Sequence, residues 1–269
     1  MQYRILGQTG LKVSILGFGG IPIGRVDEKD AVAVVNHALD MEINFIHTSI
    51  TYGDSAYKIG KVMEERRDEC LLAVKIGGSQ RTKEEAEERL KSTLEALNTD
   101  HVEIAELPIN VHDFPKAMRP GGAYEAFEEA KKEGIIDHIG ITSHDVDFLV
   151  EAIQTKAFSN LITPFNYAAN SAKEELLSLT SDLDIGVIAM KTLGKGGLTN
   201  PSQALRYVWN HNIDTAIVGM NRLTEVEENV AVAKNPRALT EEEKEELREK
   251  AEDIVKTGRL SGSGSVALR

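Results

Sequence analysis

The stretch Ser14-Ile15-Leu16-Gly17-Phe18-Gly19-Gly20-Ile21-Pro22 decides between the two architectures open to this chain. Its first five residues read as a short buried strand, and an amphipathic helix follows over residues 28–39. An open, doubly wound sheet would need the spacing Gly-x-Gly-x-x-Gly in the turn after its first strand, and Ile21-Pro22 interrupts that spacing. The turn therefore favours a closed barrel over an open sheet.

The same order of a short apolar strand and an amphipathic helix continues along the chain. Further strands are predicted at residues 43–47, 71–75, 102–107, 136–142, 161–163, 185–190 and 215–218. Among the helices between them, one is capped by Thr82 with Glu85 completing a capping box, and one spans residues 172–179. Nearly continuous apolar strands that alternate with helices indicate a parallel sheet covered by helices. Eight such units in about 250 residues is the arrangement of a closed barrel. The sequence therefore predicts an α/β fold, a (β/α)8 TIM barrel.

Two segments lie outside this repeat. Residues 1–13 read as a β-hairpin that plugs one end of the barrel, and the barrel itself takes residues 14–235. Residues 236–256 are predicted to form an extra C-terminal helix, and residues 257–269, which are rich in Ser and Gly, a flexible tail. The chain is thus predicted to be a single barrel domain.

Composition restricts the classes of partner. The 269 residues carry a formal net charge of -12 without a basic cluster, which argues against nucleic acid. Cys70 is the only cysteine, so an internal disulfide is excluded and a reducing compartment is indicated. The sequence shows neither a signal peptide nor an apolar run of about 18 residues, so we expect a cytoplasmic protein that does not span a membrane. The oligomeric state is left open.

Several short motifs follow one another in a fixed order. They are Tyr3-Arg4-x-Leu6-Gly7-x-Thr9-Gly10-Leu11, Gly17-Phe18-Gly19-Gly20, Ile43-Asn44-Phe45-Ile46, Tyr52-Gly53-Asp54-Ser55, Gly186-Val187-Ile188-Ala189-Met190-Lys191 and Val226-Glu227-Glu228-Asn229. In this order and spacing, the chain resembles the aldo-keto reductases over nearly its whole length. The resemblance implies an oxidoreductase that reduces a small-molecule carbonyl with a nicotinamide cofactor, NADP or NAD.

The resemblance also implies a catalytic tetrad of Asp, Tyr, Lys and His, of which this chain keeps half. Tyr52 matches the tyrosine that donates a proton to the carbonyl oxygen, and Lys75 matches the lysine that lowers the pKa of that tyrosine. His47 stands at the aspartate position and Pro108 at the histidine position. Because the carboxyl ends of barrel strands carry the chemistry, we expect these changes to impair carbonyl reduction.

Strand alternation places Glu106 on the same face as Pro108, and the family resemblance implies that this face lies inside the barrel. A carboxylate or an amine at such a position must be paired or neutral. An ion pair between Lys75 and Glu106 is the favoured interpretation, and a catalytic base at Glu106 is the alternative. His47 cannot stabilise the ammonium of Lys75 as a carboxylate does, so we expect a lowered Lys75 pKa unless Glu106 reaches it.

Most positions that match the family's cofactor contacts are retained. They are Ser143 and His144 for the nicotinamide carboxamide, Leu193, Gly194 and Gly196 for the pyrophosphate, and Glu228 and Asn229 for adenine. Glycines suit a pyrophosphate loop because they permit the close backbone approach that phosphates need. The resemblance therefore implies a dinucleotide site along the loops at the carboxyl end of the barrel.

The choice between NADP and NAD is less clear from the same comparison. Gly219 and Glu225 stand where many relatives place basic residues against the 2′-phosphate, although Arg222 or Lys195 could take over that contact. Some relatives continue past the last helix into a cysteine-rich segment that binds an iron–sulfur cluster. This chain has no counterpart of that segment, because residues 257–269 contain no cysteine. We therefore expect no iron–sulfur cluster and a weaker preference for the 2′-phosphate.

Three hypotheses about function follow. The first is a carbonyl reductase whose activity is impaired by His47 and Pro108. The second is a repurposed or engineered barrel enzyme, in which Lys75 forms a Schiff base, as in aldol cleavage, or His47 or Glu106 abstracts a proton. The third is a protein that binds the cofactor without turnover. The fold alone does not separate them.

Overall fold

The computed structural model describes residues 1–77, 81–198 and 200–257, and within them eight parallel strands close into a barrel. The predicted (β/α)8 fold is therefore confirmed. In chain order the strands are β1 (Tyr3–Ile5), β2 (Lys12–Ser14), β3 (Leu16–Gly19), β4 (Phe45–Thr48), β5 (Leu71–Lys75), β6 (Val102–Pro108), β7 (Ile136–Thr142), β8 (Asn160–Pro164), β9 (Gly186–Met190) and β10 (Thr215–Gly219). Strands β3 to β10 follow one another around the barrel, and β10 closes it against β3.

Helices cover the outside of the barrel, and side chains at their first turns fix where they begin. The helices are α1 (Glu28–Asp40), α2 (Ser55–Arg66), α3 (Lys83–Leu97), α4 (Phe114–Met118), α5 (Ala123–Lys132), α6 (Val146–Ile153), α7 (Leu176–Asp182), α8 (Pro201–Trp209), α9 (Leu223–Lys234) and α10 (Glu241–Thr257). The predicted capping box is present, since Thr82 and Glu85 each accept a hydrogen bond from the other's backbone. Pro201 occupies the first turn of α8, where its missing N–H costs nothing.

The predicted hairpin closes the amino end of the barrel. Strands β1 and β2 pair antiparallel, and Leu6 and Val13 are fully buried. Both belong to the apolar cluster inside the barrel, together with Phe45 and Ile104.

The structure differs from the prediction in three elements. The short helix α4 was not predicted, because five residues are too few to show a helical periodicity. The predicted helix over 172–179 begins only at Leu176. Helix α10 begins at Glu241 instead of residue 236, because the hydroxyl of Thr240 accepts a hydrogen bond from the backbone N–H of Glu243, 3.2 Å away, and so caps it there.

The predicted flexible tail, apart from Thr257, lies outside the described residues. Over the described part of the chain, none of the helices has the length and apolar character needed to cross a bilayer.

Candidate functional site

The carboxyl end of the barrel gathers the four predicted catalytic side chains. His47 lies on β4, Lys75 is the last residue of β5, and Glu106 lies on β6. Tyr52 follows in the loop between β4 and α2. The strand pairing sets Lys75 beside Glu106 and His47 beside Ala73. All four side chains therefore belong to the end of the barrel at which such folds carry their chemistry.

His47 and Glu106 contact each other across β5, with 3.1 Å between Nε2 and Oε2. The pairing runs from His47 to Ala73 and from Ala73 to Ile104. In an eight-stranded barrel the strands are staggered, so residues at the same height shift by about one position from each strand to the next. Side chains of alternate strands therefore form one interior layer. Glu106 lies two positions beyond Ile104, which brings it to the height of His47. The contact therefore follows from the closure of the barrel.

This His47–Glu106 pair is buried on an apolar floor. His47 is 5% exposed and Glu106 0% exposed. Phe45 and Ile104 lie two residues deeper on the same strands and belong to the interior apolar cluster. Oε1 of Glu106 has no hydrogen-bond partner among the described residues. Because burying a carboxylate with one unpaired oxygen is costly, stability alone does not explain the pair.

The predicted ion pair between Lys75 and Glu106 is wrong. The carboxylate of Glu106 contacts His47, and the Nζ of Lys75 lies 4.9 Å from the centroid of the Tyr52 ring. The long lysine chain carries its ammonium past its neighbour to the rim, where it contacts an aromatic face. The shorter imidazole remains at the level of the buried carboxylate.

This arrangement sets the acidities at the site. Burial, and then the charge of Glu106, raise the pKa of Tyr52 far above its ordinary value. Burial lowers the pKa of Lys75, and the attraction of Glu106 opposes that shift only in part. The lowered Lys75 pKa agrees with the sequence-based expectation. Tyr52 is, in contrast, a weaker acid than the tyrosine that the family resemblance implies.

Pro108 adds no proton donor to the site. It is the last residue of β6 and pairs with Thr142 of β7. A proline side chain has no group that could donate a hydrogen bond, so the function of a histidine at this position cannot be replaced by Pro108 itself.

Ser143 and His144 lie where β7 ends, as predicted. The Oγ of Ser143 accepts a hydrogen bond from the backbone N–H of Asp145, 3.2 Å away, which fixes a local turn. Desolvation, followed by the positive charges of Lys191 and Lys75, lowers the pKa of His144 to about 4. His144 is therefore neutral at pH 7 and shares the rim of the barrel with both lysines.

The loop after β9 is a tight, glycine-rich turn. Left-handed φ angles occur at Lys191 (55°), Gly194 (56°), Lys195 (58°) and Gly196 (87°). Leu193 lies within the same turn, and a Cβ on Gly196 would meet no atom of the described residues within 4 Å. The backbone N–H groups of Gly194 and Gly196 donate to carbonyls within the loop, so a bound anion would depend on side chains here.

Lys191 is a residue of this site that sequence analysis did not single out. Its Nζ is buried without a hydrogen-bond partner among the described residues. Burial, and then the charges of Lys195 and Lys75, lower its pKa to about 8. A buried ammonium beside a glycine turn fits a phosphate or a carboxylate group. Its position directly after a strand with an uninterrupted apolar pattern is the signal in the sequence that could have identified it.

The start of α9 holds the predicted adenine and 2′-phosphate positions. The guanidinium of Arg222 donates to Oε1 of Glu225, with the shorter contact at 2.7 Å, and Oε2 of Glu225 accepts from the backbone N–H of Asn221 at 2.8 Å. Glu228 is exposed, and Asn229 is 5% exposed. Arg222 is thus already engaged by a carboxylate at this position.

Comparison with known proteins gives one consistent result. The sequence pattern of the Aldo/keto reductase family matches residues 15–203. An L-galactose dehydrogenase from Arabidopsis thaliana is 29% identical over 291 residues, which covers 89% of this chain and 90% of the plant protein.

Solved structures resemble the chain over most of its length. An aldo-keto reductase from Bacillus halodurans in its holo form covers all of it, with a TM-score of 0.82, 23% identity and 98% of that chain matched. An aldo/keto reductase from Klebsiella pneumoniae in complex with NADP and acetate covers 93% of it, with a TM-score of 0.80, 18% identity and 96% of that chain matched. The likeness of these structures agrees with the barrel fold.

Proposed function

Because this chain belongs to the aldo/keto reductase family, we propose that it binds a nicotinamide dinucleotide at the carboxyl end of its barrel and reduces a small carbonyl compound there. The observation that carries the proposal is the convergence of Tyr52, Lys75 and the His47–Glu106 pair at this end, beside the glycine-rich loop after β9 that begins with Lys191. The NADP in the structure from Klebsiella pneumoniae supports the choice of cofactor class.

The residues around the loop after β9 fit such a cofactor. Lys191 offers the pyrophosphate a buried ammonium that has no partner among the described residues, and a Cβ on Gly196 would meet no atom of those residues within 4 Å. By the family resemblance, Ser143 and His144 would contact the carboxamide, and Glu228 and Asn229 on α9 would contact adenine. A reduced nicotinamide, when bound, supplies the hydride that the carbonyl carbon accepts.

We expect reduction of simple aldehydes to be slow. Tyr52 has a raised pKa, and the ammonium of Lys75 lies against the face of its ring. Pro108 donates no proton. A positioned acid or base contributes about 10²–10⁴-fold, so loss of the family's arrangement should bring turnover well below the ordinary enzyme rate of about 10 s⁻¹.

The test combines calorimetric titration of NADH and NADPH with turnover on a panel of aldehydes and ketones. We expect binding of at least one dinucleotide and slow, substrate-dependent oxidation of the reduced form. Failure to bind either dinucleotide at about millimolar concentration would rule out the proposal, and so would binding without turnover of any carbonyl. Turnover of a simple aldehyde at about 10 s⁻¹ would contradict the expected impairment alone.

Schiff-base chemistry at Lys75 is a second candidate function, favoured by one observation. Within the part of the chain that the structure describes, no ion pair joins Lys75 to a carboxylate, and its pKa is lowered. A desolvated amine of this kind is nucleophilic toward carbonyls.

Trapping with an aldehyde and borohydride, followed by mass spectrometry, tests this second candidate. We expect Lys75 to be labelled ahead of the surface lysines. Lys58 is the internal control, because it is buried and its Nζ donates to three backbone carbonyls, including that of Val26 at 2.7 Å. Labelling of surface lysines with Lys75 untouched would contradict Schiff-base chemistry.

A further inference from the structure

Carbonyl reduction needs a proton as well as a hydride, and the identity of the proton donor, which rests on the proposed reductase function, is open in this barrel. Lys191 belongs to the proposed phosphate site, so the remaining side chains that could donate the proton are Tyr52, Lys75 and His47. An efficient donor has a pKa close to the working pH. The raised pKa of Tyr52 moves it away from that condition.

Lys75 is also poorly placed to act as the donor. Its Nζ lies 4.9 Å from the centroid of the Tyr52 ring, so the ammonium is directed at the aromatic face. In this place it contributes positive charge to the rim, where it lowers the pKa of His144.

His47 has the geometry of a proton donor. Its Nε2 is held 3.1 Å from Oε2 of Glu106, while Nδ1, on the other edge of the ring, has no hydrogen-bond partner among the described residues. The ring centroid lies 6.2 Å from that of Tyr52, and the residue keeps 5% exposure at the barrel mouth. A carboxylate that binds one ring nitrogen fixes the orientation of the ring and leaves the other nitrogen available for proton transfer.

We infer that His47 is the catalytic acid of this barrel and that Glu106 is its positioning residue. The proton on Nδ1 of the imidazolium passes to the carbonyl oxygen as the carbon accepts the hydride. The π electron pair of the carbonyl forms the new O–H bond, and the imidazolium becomes a neutral imidazole. A proton from solvent restores the charge before the next turnover.

The charged groups around His47 are accounted for on each neighbouring element. Glu106 faces it from β6, Lys75 lies on the adjacent β5, and Tyr52 lies in the loop that follows its own strand. On the other side, β3 pairs Gly19 with His47 and contributes no charge. Glu106 is therefore the only carboxylate in contact with the ring among the described residues.

The first test compares single variants by kcat for carbonyl reduction. We expect His47→Gln to lose at least about 100-fold, and Tyr52→Phe to lose less than about tenfold. Tyr57→Phe is the matched control, because Tyr57 is 57% exposed on α2. Circular dichroism and the dinucleotide Kd check that His47→Gln folds. A loss in Tyr52→Phe equal to that in His47→Gln would overturn the inference.

The second test is the pH profile of kcat/KM for reduction, which the wild-type protein supplies without any variant. Activity should fall as pH rises, because a general acid has to carry its proton in order to act. Glu106→Gln keeps the shape of the side chain but not its charge, so this variant should move the fall in activity to lower pH. Glu106→Asp keeps the charge, so it should bring the fall part of the way back toward the wild-type pH. A wild-type profile that stays flat up to pH 9 would also overturn the inference.

The third test exchanges the donor. His47→Asp places a carboxylate where the family has one, so the role of acid should return to Tyr52. We expect Tyr52→Phe to cost at least about 100-fold in the His47→Asp background. A cost no larger than in the wild-type background would contradict the inferred exchange. If the wild type turns over no carbonyl at all, the proposed function fails together with this inference, whereas turnover that depends on Tyr52 removes this inference alone.

Discussion

Glu225 is the residue at which cofactor preference can be altered by a single change. Its Oε1 accepts hydrogen bonds from the guanidinium of Arg222, and its negative charge lies where a 2′-phosphate is expected. We predict that Glu225→Gln increases affinity for NADPH about tenfold, equivalent to about 1.4 kcal/mol, with little change for NADH.

Calorimetric Kd values for both dinucleotides measure this effect. Glu227→Gln on the same helix is the control, because Glu227 is directed toward His37, 3.2 Å away. An unchanged ratio of the two Kd values in Glu225→Gln would show that the 2′-phosphate binds elsewhere.

Lys191 gives a second prediction at the scale of the residue. Its buried Nζ has no hydrogen-bond partner among the described residues, so a bound phosphate would gain a charge-assisted hydrogen bond of about 1.5–3 kcal/mol. We predict that Lys191→Met weakens dinucleotide binding about 10- to 100-fold, whereas Lys132→Met on the outer helix α5 does not.

The pH dependence of binding is a further readout of the same prediction. Because the pKa of Lys191 is about 8, its positive charge is lost as pH rises through 8, and wild-type affinity should fall over this interval. Lys191→Met should lack that fall. The same slope in both proteins would assign it to another group.

At the scale of the element, the capping box of α3 makes a measurable contribution. Thr82 accepts a hydrogen bond from the backbone N–H of Glu85, and the Glu85 side chain accepts from the backbone N–H of Thr82. We predict that Thr82→Ala lowers the free energy of unfolding by about 1 kcal/mol, since the backbone N–H of Glu85 loses its partner. Thr82→Ser, which keeps the hydroxyl, should lose much less in urea unfolding, and equal losses would mean that the cap is not what stabilises the helix.

The hairpin plug matters for the whole molecule. Leu6 is fully buried inside the amino end of the barrel, and its side chain lies against Gly186, where even a Cβ would come within 2.6 Å of it. We predict that Leu6→Ala lowers the free energy of unfolding by about 2–5 kcal/mol through the cavity it leaves. Leu11→Ala, in the partly buried turn, should cost less.

Catalysis should not follow this loss of stability. The plug and the candidate site lie at opposite ends of the barrel, so Leu6→Ala should keep its kcat at a temperature where the protein remains folded. A large fall in kcat for the folded variant would indicate coupling between the two ends.

The stability of the molecule should also depend on Asp214. Burial is the main cause that raises its pKa from 3.8 to about 6, although it accepts a hydrogen bond from the backbone N–H of Val187. A carboxyl group with a raised pKa in the folded state contributes stability that is full below pH 3.8 and is lost as pH rises through 6. We therefore predict that the Tm of Asp214→Asn minus the Tm of wild type increases as pH rises from 4 to 7. Asp182→Asn, at an exposed position, should show no such gain, and a constant Tm difference for Asp214→Asn would contradict the assignment.

The fold could be predicted because its signals are local. Each strand and helix shows its own periodicity, the turn at Gly17–Pro22 excludes the open sheet, and Thr82 marks a helix start that the structure confirms. Two elements with weak local signals were not predicted correctly: the five-residue α4 was missed, and the start of α7 was misplaced. Periodicity needs several turns of helix to be visible, and these elements have too few.

Strand alternation and the strand ends identify His47, Lys75 and Glu106 as residues of the barrel mouth, and both features can be read from the sequence. The partner of each side chain follows from the closed barrel instead. The sequence favoured the pairing of Lys75 with Glu106, since the two are neighbours on adjacent strands, yet the carboxylate contacts His47 two strands away. That choice depends on the shear of the closed barrel and on the reach of each side chain, and neither quantity is encoded in the spacing of residues along one strand.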